Sequence, residues 1–322
     1  MYRSKNLYPS ENKKIDQKYL FSPVPKIKVA KSQTTISKKI SFSGVGLHSG
    51  KSVKMTIKPS NEQDGIKFRL LSKNKSTFSD IYANHKNVFS TFLCTTLSDT
   101  KGNKILTTEH ILAAIYALGI DNLIIELDSN EIPIMDGSSK QFFQSLKKIK
   151  LVRQPSFKKY VKIIRKISVS YNDSHAEVLP NDDMIVSCKL NFKSKIIGNQ
   201  SISFILSPKI FESEISEART FGFLEDISHL RSKGLTLGGS LKNAIVISDN
   251  KILNTEGLRY SDEFVRHKAL DLIGDLSLSG HPMLGSFSSY KGGHKLNYLL
   301  LNKIFSSKHN WEFVDSNLNP IF

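Results

Sequence analysis

The chain has 322 residues, 39% of them hydrophobic, and a formal net charge of +17. That is enough apolar material for a packed core, and a length suited to about two domains of roughly 100–200 residues each. Two cysteines, Cys94 and Cys188, are too few for a disulfide framework and lack structural-zinc spacing, so they read as small buried hydrophobes in a reducing compartment.

No apolar run approaches the ~18 residues of a membrane span, and residues 1–10 hold no hydrophobic stretch of the secretory kind. The expectation is a cytoplasmic protein with no transmembrane segment. Residues 1–40 carry ten Lys or Arg against Glu11 and Asp16, a net +8, and the remaining +9 is spread over the body. A basic balance invites a nucleic-acid partner, but these lysines are scattered with little aromatic interleaving, so none is expected. An anionic small substrate is an equally good use for part of the charge.

Residues 1–32 are polar and basic, with Pro9, Pro23 and Pro25, and read as a flexible tail. A single arginine and no amphipathic pattern argue against a transit peptide. Gly44-Val45-Gly46-Leu47-His48-Ser49-Gly50 looks superficially like a dinucleotide loop. It lacks that spacing and leads into a strand, so a glycine-rich turn suffices. Residues 52–58 alternate with period two, a strand with one buried face. Residues 109–118 are predicted as a helix: Ile111, Ala114, Ile115 and Leu118 recur at helical spacing. Thr107 or Thr108 can cap it and Gly119 stops it. A strand at 122–127 and a helix at 140–147 follow, with a linker at 152–159 around Pro155.

The second half opens with strands at 160–168, 176–179, 184–192 and 201–206, then a helix at 209–217. Residues 221–253 read as a helix, the turn Leu237-Gly238-Gly239-Ser240 and strands. The main helix spans 261 to about 279, capped by Ser261 and stopped by Gly280 and Pro282. Another helix starts near Lys295. Each half combines strands with a pair of helices, so the class is α+β. The division expected is 33–152 and 153–322.

Three features carry chemistry. His267 and Asp271 lie four residues apart on one helix, so both face one side, and Asp275 continues the stripe. Two pre-oriented ligands suit a metal; a solvated ion pair has the same spacing. Glu109-His110 opens a helix, placing an acid beside a third candidate ligand, as in other zinc hydrolases. An ordinary first-turn acid with a half-buried histidine is the alternative. Gly292-Gly293-His294 lets a loop bring an imidazole close to another surface, or is a plain surface loop.

Seven motifs now stand in order along the chain: 44–50, Thr107-Thr108-Glu109-His110, 131–138, 218–223, 237–240, 264–271 and 293–297. Together, over about residues 34–313, the chain resembles the UDP-3-O-acyl-N-acetylglucosamine deacetylases of lipid A (lipopolysaccharide) synthesis. The resemblance implies a two-domain β-α-α-β sandwich, helix pairs layered on sheets, with the site at the domain interface. It implies a Zn²⁺ site of His110, His267 and Asp271, which Fe²⁺ can also occupy. Glu109 matches the family's general base and His294 its general acid. Asp275 matches the carboxylate that orients His294, and Thr220 the hydroxyl that holds the oxyanion. Lys268, Phe221 and Gly239 correspond to substrate-binding positions, and 219–253 to an insert forming a passage for the acyl chain. The implied substrate is UDP-3-O-acyl-N-acetylglucosamine, and a monomer is expected. Two departures are a longer tail and Gly292, where serine is common. The rivals are a metal-dependent amide hydrolase acting on another N-acetylated sugar, and a binding protein without chemistry.

Overall fold

The computed structural model describes residues 32–72, 77–248 and 251–321. The expected basic tail, residues 1–32, lies outside them apart from Ser32. The chain starts with β1 (Ser32–Ile36), β2 (Ile40–Val45), β3 (Ser52–Pro59), β4 (Ile66–Leu71) and β5 (Phe78–Tyr82). Three short strands follow: β6 (Val88–Ser90), β7 (Thr96–Ser98) and β8 (Lys104–Ile105). Then come α1 (Glu109–Leu118), β9 (Leu123–Leu127), α2 (Lys140–Lys147) and β10 (Leu151–Phe157).

In β3, Val53, Met55 and Ile57 point inward and Ser52 and Lys54 outward, the period-two pattern of a half-buried strand. A sheet in the order β2-β3-β9-β4-β5 is antiparallel except between β4 and β9. Its apolar face shares one core with α1 and α2, where Phe142 meets Phe42 edge-on at 5.2 Å. The segment expected as a linker is β10, paired antiparallel with β1. Pro155 falls where that ladder is irregular, between Ser32 and Thr34, so its missing N–H breaks no regular pairing.

The strand expected over 160–168 is two, β11 (Tyr160–Ile163) and β12 (Ile167–Tyr171), because Ile164, Arg165 and Lys166 turn out to solvent. Next are β13 (Ser174–Leu179), β14 (Met184–Asn191), β15 (Asn199–Ile205) and α3 (Pro208–Ile210), which runs into the π-helical turn Phe211–Ile215. Then come β16 (Phe221–Phe223), α4 (Leu224–Ser232), β17 (Ile245–Ser248) and β18 (Lys251–Ile252). The chain ends with α5 (Glu263–Leu276), β19 (Met283–Tyr290), α6 (His294–Phe305) and β20 (Trp311–Val314). β19 organises the second sheet. One part lies between β13 and β14, and its start lies beside β11, which leads to β20.

The architecture is α+β, with two sheet-and-helix halves. At their junction α1 packs on α5 in the most extensive helix–helix contact among the described residues. Of α1, only Tyr116 and Leu118 escape full burial; after Glu109 and His110 the helix is apolar on every side. Like the start of α1, α5 takes polar groups into the interior with it: Glu263, Arg266, His267, Asp271 and Asp275. Buried polar groups need partners, and those partners define the site.

The helix ends correct two expectations. Thr108 stands at the α1 N-cap position, yet its hydroxyl donates to the Thr95 carbonyl (3.1 Å) instead of capping. Thr107 has a φ of +61° and its hydroxyl donates to Glu131. Both are diverted to hold neighbouring loops. At α5 the cap position is Asp262, not Ser261, and Asp262 pairs with Arg266. Gly119, with a φ of +67°, ends α1 as expected. Among the described residues no helix is long and apolar enough to cross a membrane.

Candidate active site

His110 reaches the junction from the first turn of α1, and His267 and Asp271 from consecutive turns of α5. All three are buried, and one ligand atom from each lies within 4.8 Å of the others. Asp271 Oδ1 is 3.4 Å from His267 Nε2 and 3.8 Å from His110 Nε2. Burial depresses the pKa of both histidines, that of His110 to about 3, so both rings are neutral, the form that can ligate a metal. Burial alone would raise Asp271, but the charges beside it, His267 when protonated and Lys268, outweigh burial and lower it. With His267 neutral, the Lys268 ammonium is what keeps the carboxylate ionised. His267 Nδ1–H donates to the Ala218 carbonyl at 3.0 Å, which fixes the tautomer with Nε2 toward the trio. Asp271 Oδ1 is buried without a hydrogen-bond partner among the described residues. An unpaired anionic oxygen facing two neutral imidazoles is a mismatch that a divalent cation removes, so the residues fit a metal.

Glu109 and His294 stand beside the trio, with Glu109 Oε1 3.7 Å from His294 Nε2. Glu109 Oε2 accepts the Thr95 backbone N–H at 3.0 Å. Burial pushes the Glu109 pKa up to about 7; His294 opposes the rise, while Asp275 and Asp271 add to it. His294 Nδ1–H donates to Asp275 Oδ2 at 2.9 Å. Burial alone would lower the His294 pKa, but Asp275 and Glu109 outweigh it and raise it to about 9. Both values are raised, so near neutral pH the imidazolium is retained while the neighbouring carboxyl titrates close by.

These groups line one cavity of about 380 Å³. Thr220, Phe221 and Lys268 are on its wall, as are Leu47, His48, Leu93 and Lys291. Lys268 Nζ donates to Asp271 Oδ2 at 2.8 Å and lies 5.5 Å from the Phe221 ring centre. Asp275 sits behind His294, off the wall. Gly239 is also off the wall, next to Leu47, which does line it. The structure therefore gathers every predicted site residue except Gly239 around a single centre.

A family model described as UDP-3-O-acyl N-acetylglycosamine deacetylase matches residues 33–306. The UDP-3-O-acyl-N-acetylglucosamine deacetylase of Idiomarina loihiensis is 44% identical over 88% of this chain and 92% of its own. That of Campylobacter hominis is 45% identical over 88% and 94%, and that of Syntrophus aciditrophicus 43% over 87% and 88%. This chain belongs to the UDP-3-O-acyl-N-acetylglucosamine deacetylase family.

Several residues of this deacetylase site have no role legible in the sequence, although Ala218 and Asn297 lie within the motifs at 218–223 and 293–297. Thr95 lies between two short strands, the Ala218 carbonyl is backbone, and Asn297 donates to Asp275 Oδ2 (2.8 Å) from the first turn of α6. Gly274 is another. A Cβ there would overlap the backbone of Glu109, so α5 and α1 approach only because that position is glycine. Gly274→Ala pushes apart the helices that carry His110 and His267–Asp271. The expected result is a loss of about 1–3 kcal/mol in stability together with weaker metal binding. Thermal melts and metal competition titrations check this. Unchanged metal affinity in the folded variant would show that the close approach does not set the ligand spacing.

Proposed function

We propose that this deacetylase hydrolyses the N-acetyl group of UDP-3-O-(3-hydroxyacyl)-N-acetylglucosamine, giving acetate and the free amine, in the cytoplasm and as a monomer. The observation that carries the reading is the convergence of Glu109 and His294 with the His110–His267–Asp271 trio in one cavity. A division after β10 (Leu151–Phe157), which pairs with β1 of the first half and so moves the expected boundary from 152 past that strand, and an acyl-chain passage over 219–253 belong to the same proposal.

Zn²⁺ is the proposed ion, and Fe²⁺ can take the same ligands. Bound by the trio, it supplies Lewis acidity, acidifying water and polarising the acetyl carbonyl. Glu109 Oε1 takes the proton of the attacking water while Thr95 holds Oε2. The Thr220 hydroxyl donates to the developing oxyanion, worth about 3 kcal/mol for a well-placed donor. His294 gives the proton on Nε2 to the glucosamine nitrogen as the C–N bond breaks, and Asp275 keeps its other nitrogen turned away. Lys268, with Lys291 on the same wall, offsets the diphosphate charge. Phe221, and Gly239 through Leu47, border the sugar and acyl groups.

His294 acts only when protonated, so activity falls as pH rises through the His294 pKa, about 9 in the metal-free protein. A bound dication repels the imidazolium and moves that limb to lower pH. Asp275→Asn removes the main influence raising the value, so the basic limb of the kcat/KM profile moves further down. A limb that stays in place in this variant would free His294 of the acid role.

Acetate release from the purified chain, with metal content measured on the same sample, tests the proposal. Turnover is expected with about one ion per chain, abolished by chelation and restored by zinc. Bound metal without turnover would require another substrate. Neither metal nor turnover would end the hydrolase reading.

A further inference from the structure

We infer that Thr95 is a positioning residue that ties the proposed base and the proposed acid into one unit; this rests on the roles assigned above to Glu109 and His294. The residue is 2% exposed, and each of its polar groups has a partner in the catalytic surroundings. Its backbone N–H donates to Glu109 Oε2 at 3.0 Å. Its hydroxyl donates to Asp275 Oδ1 at 2.5 Å, and the same oxygen lies 3.3 Å from His294 Nδ1. Its carbonyl accepts from the Thr108 hydroxyl (3.1 Å) and the Thr108 backbone N–H (3.3 Å), one residue before Glu109.

The consequences follow from donor and acceptor supply. A carboxylate has room for several donors. Asp275 spends Oδ2 on His294 Nδ1–H and Asn297, and Oδ1 on Thr95. With both oxygens held, the carboxylate plane is set, and with it the line along which Nδ1–H of His294 points. On the other side, the Thr95 N–H occupies one oxygen of Glu109 and leaves Oε1 toward His294 Nε2. Thr95 comes from the loop between β6 and β7, whereas Glu109, Asp275 and His294 come from α1, α5 and α6. A single loop residue thus sets where two groups from different helices stand relative to each other. A buried threonine needs a hydroxyl partner in any case. Here the partner is the carboxylate behind the acid, while the amide of the same residue is committed to the base.

Thr95→Val removes the hydroxyl at nearly constant volume and leaves the backbone N–H in place. It should lower kcat about 10- to 100-fold, the effect of losing a hydrogen bond to a charged group. KM should stay within about twofold, since no substrate-binding role is assigned to Thr95. Thr95→Ser, which keeps the hydroxyl, should restore most of the rate. Thr95→Ala serves the same comparison if the valine variant does not fold. The deciding measurement is a double-mutant cycle with His294→Gln. If Thr95 acts through Asp275 and His294, Thr95→Val costs little once His294 is gone. An equal loss in both backgrounds, or no rescue by serine, overturns the role of Thr95 alone. A silent His294→Gln variant overturns the acid assignment beneath it.

Discussion

Glu109→Gln lowers kcat/KM by about 10²- to 10⁴-fold and leaves the metal bound. Glutamine keeps the shape and can still accept the Thr95 N–H, but it cannot take a proton from water. Glu109 is not one of the three convergent ligands, so the metal site should survive. The size of the effect follows from its environment. In the metal-free protein burial raises the Glu109 pKa to about 7, with Asp275 and Asp271 pushing the same way against His294. A bound dication lowers that value, so the carboxylate is ionised at neutral pH while still basic enough to take the proton. Acetate release and metal content on one sample check both halves. A loss below tenfold, or metal that departs with the carboxylate, removes Glu109 from the base role.

Arg219→Met destabilises the protein by about 3–5 kcal/mol, the cost of leaving one partner of a buried ion pair uncompensated. Arg219 Nε donates to Glu263 Oε1 at 2.8 Å, with side chains 2% and 0% exposed. The Arg219 backbone N–H reaches the same oxygen at 3.0 Å, and Arg219 Nη2 the Gly257 carbonyl at 2.7 Å. Arg219 lies between Ala218, whose carbonyl orients His267, and Thr220 on the cavity wall. The pair therefore anchors the segment that meets α5 at the turns of His267 and Asp271. Changing both Arg219 and Glu263 to methionine should cost less than the arginine change alone, because no charge is then left buried. Chemical denaturation of the single and double variants decides it. A single-variant loss under about 1 kcal/mol would mean that solvent reaches Glu263.

Much of the site was legible locally. The helical spacing of His267 and Asp271 put both on one face, and the Glu109-His110 pair at a helix start put an acid beside a candidate ligand. The first signal rests on 3.6-residue periodicity and the second on where the helix begins. Glu263 was less legible. An acid in the first turn of a helix reads as a favourable charge on an exposed end, yet it is fully buried, because Arg219 comes from 44 residues away to meet it. The strand expected over 160–168 broke for a similar reason. Ile164 continues the apolar run but is exposed in a turn between two strands with different neighbours.

By itself, then, the sequence determined the helices α1, α2 and α5, the left-handed stop at Gly119, the α+β class and the order of seven motifs that marks the family. Each of these is encoded in residues a few positions apart, where periodicity and turn chemistry act. The resemblance implied that His110, His267 and Asp271 form one set, but only the tertiary structure decided how they meet, that Gly274 lets their helices close, and that Thr95 stands between Glu109 and Asp275. Those pairings join positions up to 180 residues apart. They follow from how two buried helices pack between sheets, and no local pattern of residues records that.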